Sequence, residues 1–384
     1  MEAYFDNAAT TRCSDGARDV MARALSEDYG NPSSLHGKGL AGERYIREAK
    51  KNICRTLKIN EPELVFTSGG TESNNLAILG AAMANQRAGM HLVTTKIEHP
   101  AVTAPMRHLE EQGFSVTWLD VDKDGLVSLE QLQESITPET ILVSIMYVNN
   151  EIGAVEPIQE AAAAIKGKTP GTLFHVDAIQ AYGKYIIHTK KLGIDLLSAS
   201  GHKIHGPKGV GFLYIKEKTK VWPILFGGGQ QKNMRSGTEN VPGIAGMGQA
   251  AKEAYEMFQE KQGHLYQLKE TFLAGLADTG WAHFNGKTGR DSAPHILSLT
   301  VDGVRSEVLL HALEERQVYV SAGSACASNK PAPSSTLQAI RAGKEALGST
   351  VRVSFCAGNT LEEVEYCVGV LKEVVPQLQR FARR

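Results

Sequence analysis

The chain has 384 residues, which at roughly 150 residues per domain allows two or three units and a large core without disulfide support. Hydrophobic residues at 42% and charged residues at 22% match a soluble globular protein and exclude a disordered, collagenous or coiled-coil chain. With 41 basic against 42 acidic residues and a net charge of -1, there is no global electrostatic drive toward nucleic acid, which leaves only a local basic face such as the tail with Arg380, Arg383 and Arg384.

No apolar run approaches the roughly 20 residues that a bilayer needs. The start, MEAYFDNAATT, lacks the basic and apolar regions of a signal peptide, so the expectation is a cytoplasmic protein without membrane contact. The five cysteines, Cys13, Cys54, Cys326, Cys356 and Cys367, are odd in number and scattered, with no C-x-x-C pair. That pattern predicts reduced thiols and argues against a disulfide framework or zinc ribbon.

From Leu64 to Ile215 short apolar or β-branched runs alternate with polar turns and helical stretches. The runs are LVFT from Leu64, HLVTT from His91, VTWL from Val116, ILVSIMYV from Ile141, LFHVD from Leu173, DLLSAS from Asp195 and VGFLYI from Val210, with Ala-rich helical segments NNLAILGAAMANQ and QEAAAAIKG between them. Such alternation predicts an α/β fold with a mostly parallel sheet covered on both faces, whose ligands bind beyond the strand carboxyl ends. After Pro242 one long helical stretch, GIAGMGQAAKEAYEMFQEKQGHLYQLKETFLAGL, leads to a second unit near Trp281 with strands HILSLTV, QVYVSA and TVRVSF and a terminal amphipathic helix.

Four segments carry chemistry. Lys203, in SGHK between a strand and the glycine-rich HGPKGVG, is a lysine at the mouth of a parallel sheet, where desolvation lets it lose its proton and condense with an aldehyde. Read alone, the segment equally suits a surface lysine in a turn. Asp177, at the end of LFHVD, can hold a pyridinium nitrogen protonated, with Gln180 in reach of a ring substituent; an Asp capping the next turn is the plainer reading. TSGGTES, residues 67–73, puts small residues at a helix start, which suits a phosphate as well as it suits an N-cap by Thr71 or Ser73. Cys326 lies among small, polar and proline residues, SAGSACASNKPAPS, the composition of an exposed loop, which makes its thiol a candidate nucleophile. The other four cysteines read as structural or incidental.

Together these segments resemble the cysteine desulfurases of the NifS/IscS type, in the class V aminotransferase group of pyridoxal-phosphate enzymes. DNAATT, GNPSSLHGKG, FTSGGTESNN, EHPAV, VNNEIG, VDAIQ, SGHKIHGPKGVG, RSGTEN and SAGSACAS all fall in family order over nearly the whole chain. The resemblance implies the fold type I of pyridoxal-phosphate-dependent transferases, in which a large domain with a mostly parallel seven-stranded sheet flanked by helices joins a smaller α+β domain. Residues 16–250 would form the first, and residues 1–15 with 251–384 the second, carrying the catalytic cysteine loop at about 321–336.

It further implies that pyridoxal 5'-phosphate is covalent on Lys203, paired with Asp177 at the ring nitrogen and Gln180 at the ring hydroxyl, with His99 stacked on the ring and able to shuttle protons. Thr71, Ser200 and His202 would hold the phosphate, Gly70 giving backbone room. Thr238 would reach it from the opposite subunit of a homodimer. Asn150 and Arg352 would bind the substrate carboxylate, with Asn31 a further candidate. Cys326 matches the persulfide-forming cysteine, so the implied reaction turns L-cysteine into L-alanine and transfers the sulfur. One departure is Cys356, in RVSFC where the family has glycine, a thiol near Arg352 without an assigned role.

Three other readings compete. A selenocysteine lyase, or another class V enzyme, need not depend on a loop cysteine. A metal-dependent hydrolase built from His99, His175, Asp177, His202 and His205 lacks an H-E-x-x-H motif. A pure binding protein would not need lysine, aspartate and cysteine together. The sulfur acceptor is expected to be a protein, either an iron–sulfur scaffold or, because the chain ends soon after its last helix, a tRNA-thiolating enzyme.

Overall fold

The computed structural model describes residues 1–322 and 334–382. Cys326, Arg383 and Arg384 lie outside the described residues.

All seven runs between Leu64 and Ile215 form strands of one sheet. Its spatial order is Leu64–Thr67, Gly211–Ile215, Leu196–Ser200, Leu173–Asp177, Thr140–Met146, His91–Thr95 and Ser115–Leu119. Only Gly211–Ile215 runs against the rest, pairing antiparallel with both of its neighbours, so the sheet is mostly parallel. Alternate residues serve opposite faces, as the two-residue period of a strand requires. Val65, Leu92, Leu142, Leu196 and Leu213 join one apolar cluster. Their chain neighbours Phe66, Val93, Val143, Leu197 and Phe212 join the other. Covering on both faces explains why these strands read as continuous apolar runs.

A second sheet, antiparallel, has the order Ser321–Ala322, Thr350–Ser354, Ile296–Val301 and Ala282–Phe284. The helices Phe258–Leu276 and Leu361–Ala382 pack beside it around a separate core of Phe5, Phe272, Leu299, Val351, Phe355 and Cys367. Cys367 and Cys54 are buried, and burial pushes both thiols up to about 12, consistent with structural roles.

Two expectations need correction. The stretch after Pro242 is two helices, Val241–Tyr255 and Phe258–Leu276, because Met257 adopts a left-handed φ of 51° that ends one and starts the next. The break brings Phe258 back to stack on Tyr255 with ring centroids 5.5 Å apart. The run QVYVSA also divides: Val318–Tyr319 pairs in parallel with Ala3–Tyr4, whereas Ser321–Ala322 joins the four-stranded sheet. Among the described residues no helix is long and apolar enough to cross a membrane.

Candidate active site

Because six strands of the large sheet run the same way, their carboxyl ends share one edge, and the segments leaving that edge converge. Lys203 closes the short turn Gly201–Lys203 directly after Leu196–Ser200. Asp177 ends its own strand, and Gly70 starts a helix just after Thr67. His99 caps the helix Pro100–Glu111. A cavity of about 210 Å3 lies between them. Lys203, Asp177, Gln180, His99 and Arg352 line it, together with Gly70, Thr71, Asn150, Ser200 and His202. Ten of the thirteen residues singled out from the sequence thus meet in one place.

The other three do not line it. Asn31 is exposed, its side-chain oxygen accepting the Ser33 N–H at 2.9 Å. Thr238 is exposed on the segment before Val241–Tyr255, which Arg235 ties to Glu72 of the helix Gly70–Asn85 through Nε at 2.8 Å. Cys326 lies outside the described residues.

Lys203 is held at the cavity wall by the first residues of the chain. Its Nζ donates to the carbonyls of Ala8 and Ala9, both at 2.6 Å, and the Gln180 amide donates to the same Ala8 carbonyl at 2.9 Å. Hydrogen bonds from a charged donor contribute about 1.5–3 kcal/mol each, so the amine has a defined resting place. Asp177 is 4% exposed. Burial raises its pKa, opposed by the Ile179 N–H on Oδ1 at 3.0 Å, by His99, by the Asn74 amide on Oδ2 at 2.8 Å and by Lys203.

Burial, with Lys203 beside it, pushes the His202 pKa down to about 4, so the ring is neutral at pH 7. The His99 Nδ1 accepts the Ala101 N–H at 3.0 Å, which leaves the proton of a neutral ring on Nε2. An added Cβ at Gly70 would stand 2.3 Å from Ile179 Cδ1 on the facing wall, so that side chain would have to turn aside. No side chain caps that 16-residue helix, so its first N–H groups remain available to an anion.

Arg352 is buried, at 3% exposure, with Nη2 donating to Asp6 Oδ1 and Nη1 to the Asn150 carbonyl, both at 2.9 Å. Its Nε has no partner among the described residues. The guanidinium is therefore fixed in place, with donors to spare for a carboxylate.

Asn74, Asp6 and Lys184 have roles that the sequence reading missed. Asn74 lies in the motif FTSGGTESNN and Asp6 in DNAATT, so both motifs were visible, but nothing local shows that one faces Asp177 and the other Arg352. Lys184 donates to the backbone carbonyl of Lys203 from beyond VDAIQ. The proposed metal ligands do not assemble. Both ring nitrogens of His175 are taken by Ser144 and Ser198, at 2.8 and 3.0 Å, and among the described residues no three His, Cys, Asp or Glu side chains are arranged to hold a metal.

Known proteins match this chain end to end. The family described as Aminotransferase class-V matches residues 3–367. A protein of Bacillus subtilis named putative cysteine desulfurase IscS 1 is 43% identical over 98% of this chain and 99% of its own length. The cysteine desulfurase IscS of Methanosarcina thermophila is 41% identical over 99% and 93%. The solved structure of a NifS-like protein superimposes with a TM-score of 0.93 at 36% identity, covering 98% of this chain and all of that one. By sequence and by fold alike, this chain belongs to the class V aminotransferase family.

Proposed function

We propose that this protein is a pyridoxal-phosphate-dependent cysteine desulfurase, which converts L-cysteine to L-alanine and passes the sulfur on through a persulfide of Cys326. The observation that carries this reading is the meeting of an amine, a buried carboxylate and a buried arginine in one cavity at the strand ends. Relatives named cysteine desulfurase over the full chain support it.

The residues present fit the cofactor. Lys203 offers the primary amine for its aldehyde, Asp177 the buried carboxylate for its ring nitrogen, and the uncapped helix start an anion site for its phosphate. When bound, pyridoxal phosphate acts as an electron sink for the substrate α-carbon. Gln180 would be the partner for the ring hydroxyl. Thr71, Ser200 and neutral His202 would hold the phosphate, with Thr238 reaching it from a second copy in a homodimer.

Arg352 takes the substrate carboxylate, Asn150 lies beside it, and Asn31 is the more distant candidate for the same role. Lys203, released from the Ala8 and Ala9 carbonyls, removes the α-proton. His99 holds a transferable proton at Nε2 and would stack on the ring. Cys326 attacks the substrate sulfur as a thiolate, so that its S–S bond forms as the substrate C–S bond breaks. L-cysteine and the Cys326 thiol thus become L-alanine and a Cys326 persulfide, with no outside oxidant or reductant.

Residues 16–250 form the cofactor domain in this reading and residues 1–15 with 251–384 the small domain, whose separate core around Phe5, Phe272 and Phe355 supports the division. The sulfur then goes to an acceptor protein, a tRNA-thiolating enzyme or an iron–sulfur scaffold, in the cytoplasm. The deciding experiment is the visible spectrum of purified protein before and after L-cysteine, with alanine assayed in the same tube. A cofactor band that shifts as alanine appears is expected. A band indifferent to cysteine would move the substrate to another amino acid.

A further inference from the structure

Behind the site lies a second, larger cavity, of about 300 Å3 against about 210 Å3. The segments that wall the two are the same. Asn7 adjoins Ala8, Ile204 adjoins Lys203, Lys184 follows Gln180 and Cys356 follows Arg352, the first of each pair lining the rear cavity and the second the front. Part of the remaining rear wall comes from the two helices that meet at Met257 and includes Ala254, Phe258 and Leu265. The reaction proposed above uses none of these rear side chains.

Most of the lining is apolar, but two nitrogen groups are not accounted for. His295 is 1% exposed, and neither ring nitrogen has a hydrogen-bond partner among the described residues. Buried polar atoms are paired almost without exception, so such a ring calls for an occupant. Lys184 spends one donor on the Lys203 carbonyl and keeps two more. Burial and the nearby Lys203 push its pKa down to about 8, a strain that an adjacent anion relieves. Glu253 also lines the cavity; its Oε1 accepts the Gln249 amide at 2.7 Å, and the Lys261 ammonium, also in the lining, donates to its backbone carbonyl at 2.5 Å.

We propose that the rear cavity binds a small organic acid, its carboxylate held by Lys184 and His295 and its apolar body seated against Phe258, Leu265 and Ile204. The volume lies at the small end of ligand sites. Cys356, also in the lining, serves as the reporter, since an occupant covers its thiol. Lys184 ties occupancy to the turn that carries Lys203.

The test uses the holoenzyme with 3-phenylpropanoate as probe and its neutral amide, 3-phenylpropanamide, as control. Calorimetry is expected to show one site, with the acid about tenfold or more tighter than the amide, the worth of one charge-assisted hydrogen bond. Saturating acid is expected to slow iodoacetamide labelling of Cys356, read by peptide mass spectrometry, and Cys356→Phe, which fills the cavity, to abolish binding. No binding at millimolar acid, equal affinity for acid and amide, or binding that leaves Cys356 labelling unchanged would each overturn the proposal; the last would place the acid in the front pocket. The labelling arm needs no variant, so it decides the matter even if Cys356→Phe fails to fold.

Discussion

Asn74→Leu removes the amide that donates to Asp177 Oδ2 at 2.8 Å and keeps the branching at Cγ, at the cost of two larger methyl groups in a buried site. Asp177 is 4% exposed, so water cannot replace the lost donor. A hydrogen bond to a charged group is worth about 1.5–3 kcal/mol, and one pKa unit corresponds to about 1.4 kcal/mol. The Asp177 pKa, already raised by burial, therefore rises further. The charged form that must face the ring nitrogen becomes scarcer at neutral pH, and affinity for pyridoxal phosphate falls. The loss has a signature. It deepens as pH falls, because protonation of Asp177 then competes harder, and it fades as pH rises. Equilibrium binding of the cofactor to apoprotein between about pH 6 and pH 8, for variant and wild type side by side, reads that ratio directly. A thermal melt of each apoprotein separates a general loss of stability from the local effect. Affinities within about twofold of each other across the whole range would refute the reasoning.

Three further outcomes are expected. Borohydride treatment of the wild type should leave the pyridoxyl mass on the Lys203 peptide and nowhere else, and Lys203→Ala should carry none. Cys326→Ala should retain cofactor binding but form no alanine from L-cysteine; undiminished turnover of selenocysteine by the same variant would mark the protein as a selenocysteine lyase instead. Glu156 is 3% exposed, and burial pushes its pKa up from 4.5 to about 8. The native state thus binds a proton that the unfolded chain releases, and stability from this group is lost as pH rises from about 4.5 to 8. Glu156→Gln should exceed the wild type in stability at pH 9, by on the order of 4 kcal/mol, and match it below about pH 4.5, as measured by denaturant melts.

Much of the fold was legible because buried parallel strands write themselves as apolar runs, and all seven between Leu64 and Ile215 were readable on that account. What periodicity does not encode is partnership. Gly211–Ile215 reads like its fellows yet runs opposite to them, and QVYVSA reads as one strand although its two halves serve different sheets. Met257 gave no warning either, since left-handed φ is unusual outside glycine and the helical pattern continues on both sides. The site divides in the same way. Lys203, Asp177 and His99 stand at strand or helix ends, where type and position are visible locally. Asn74 acts on a residue 103 positions away and Asp6 on one 346 away, so their functions exist only once the chain has closed.

The contacts of residues 3–11 bear on how the enzyme is made. Their partners are Val318–Tyr319, Ser354 and Arg352 on one side and Lys203, Gln180 and the His202 carbonyl on the other. At roughly 5–20 residues per second, a ribosome takes on the order of tens of seconds to travel from Asp6 to Arg352. During that interval the large sheet can assemble, but the segment that holds Lys203 in its resting place has only half of its partners. The segment that holds Lys203 therefore gains its last partners only near the end of synthesis.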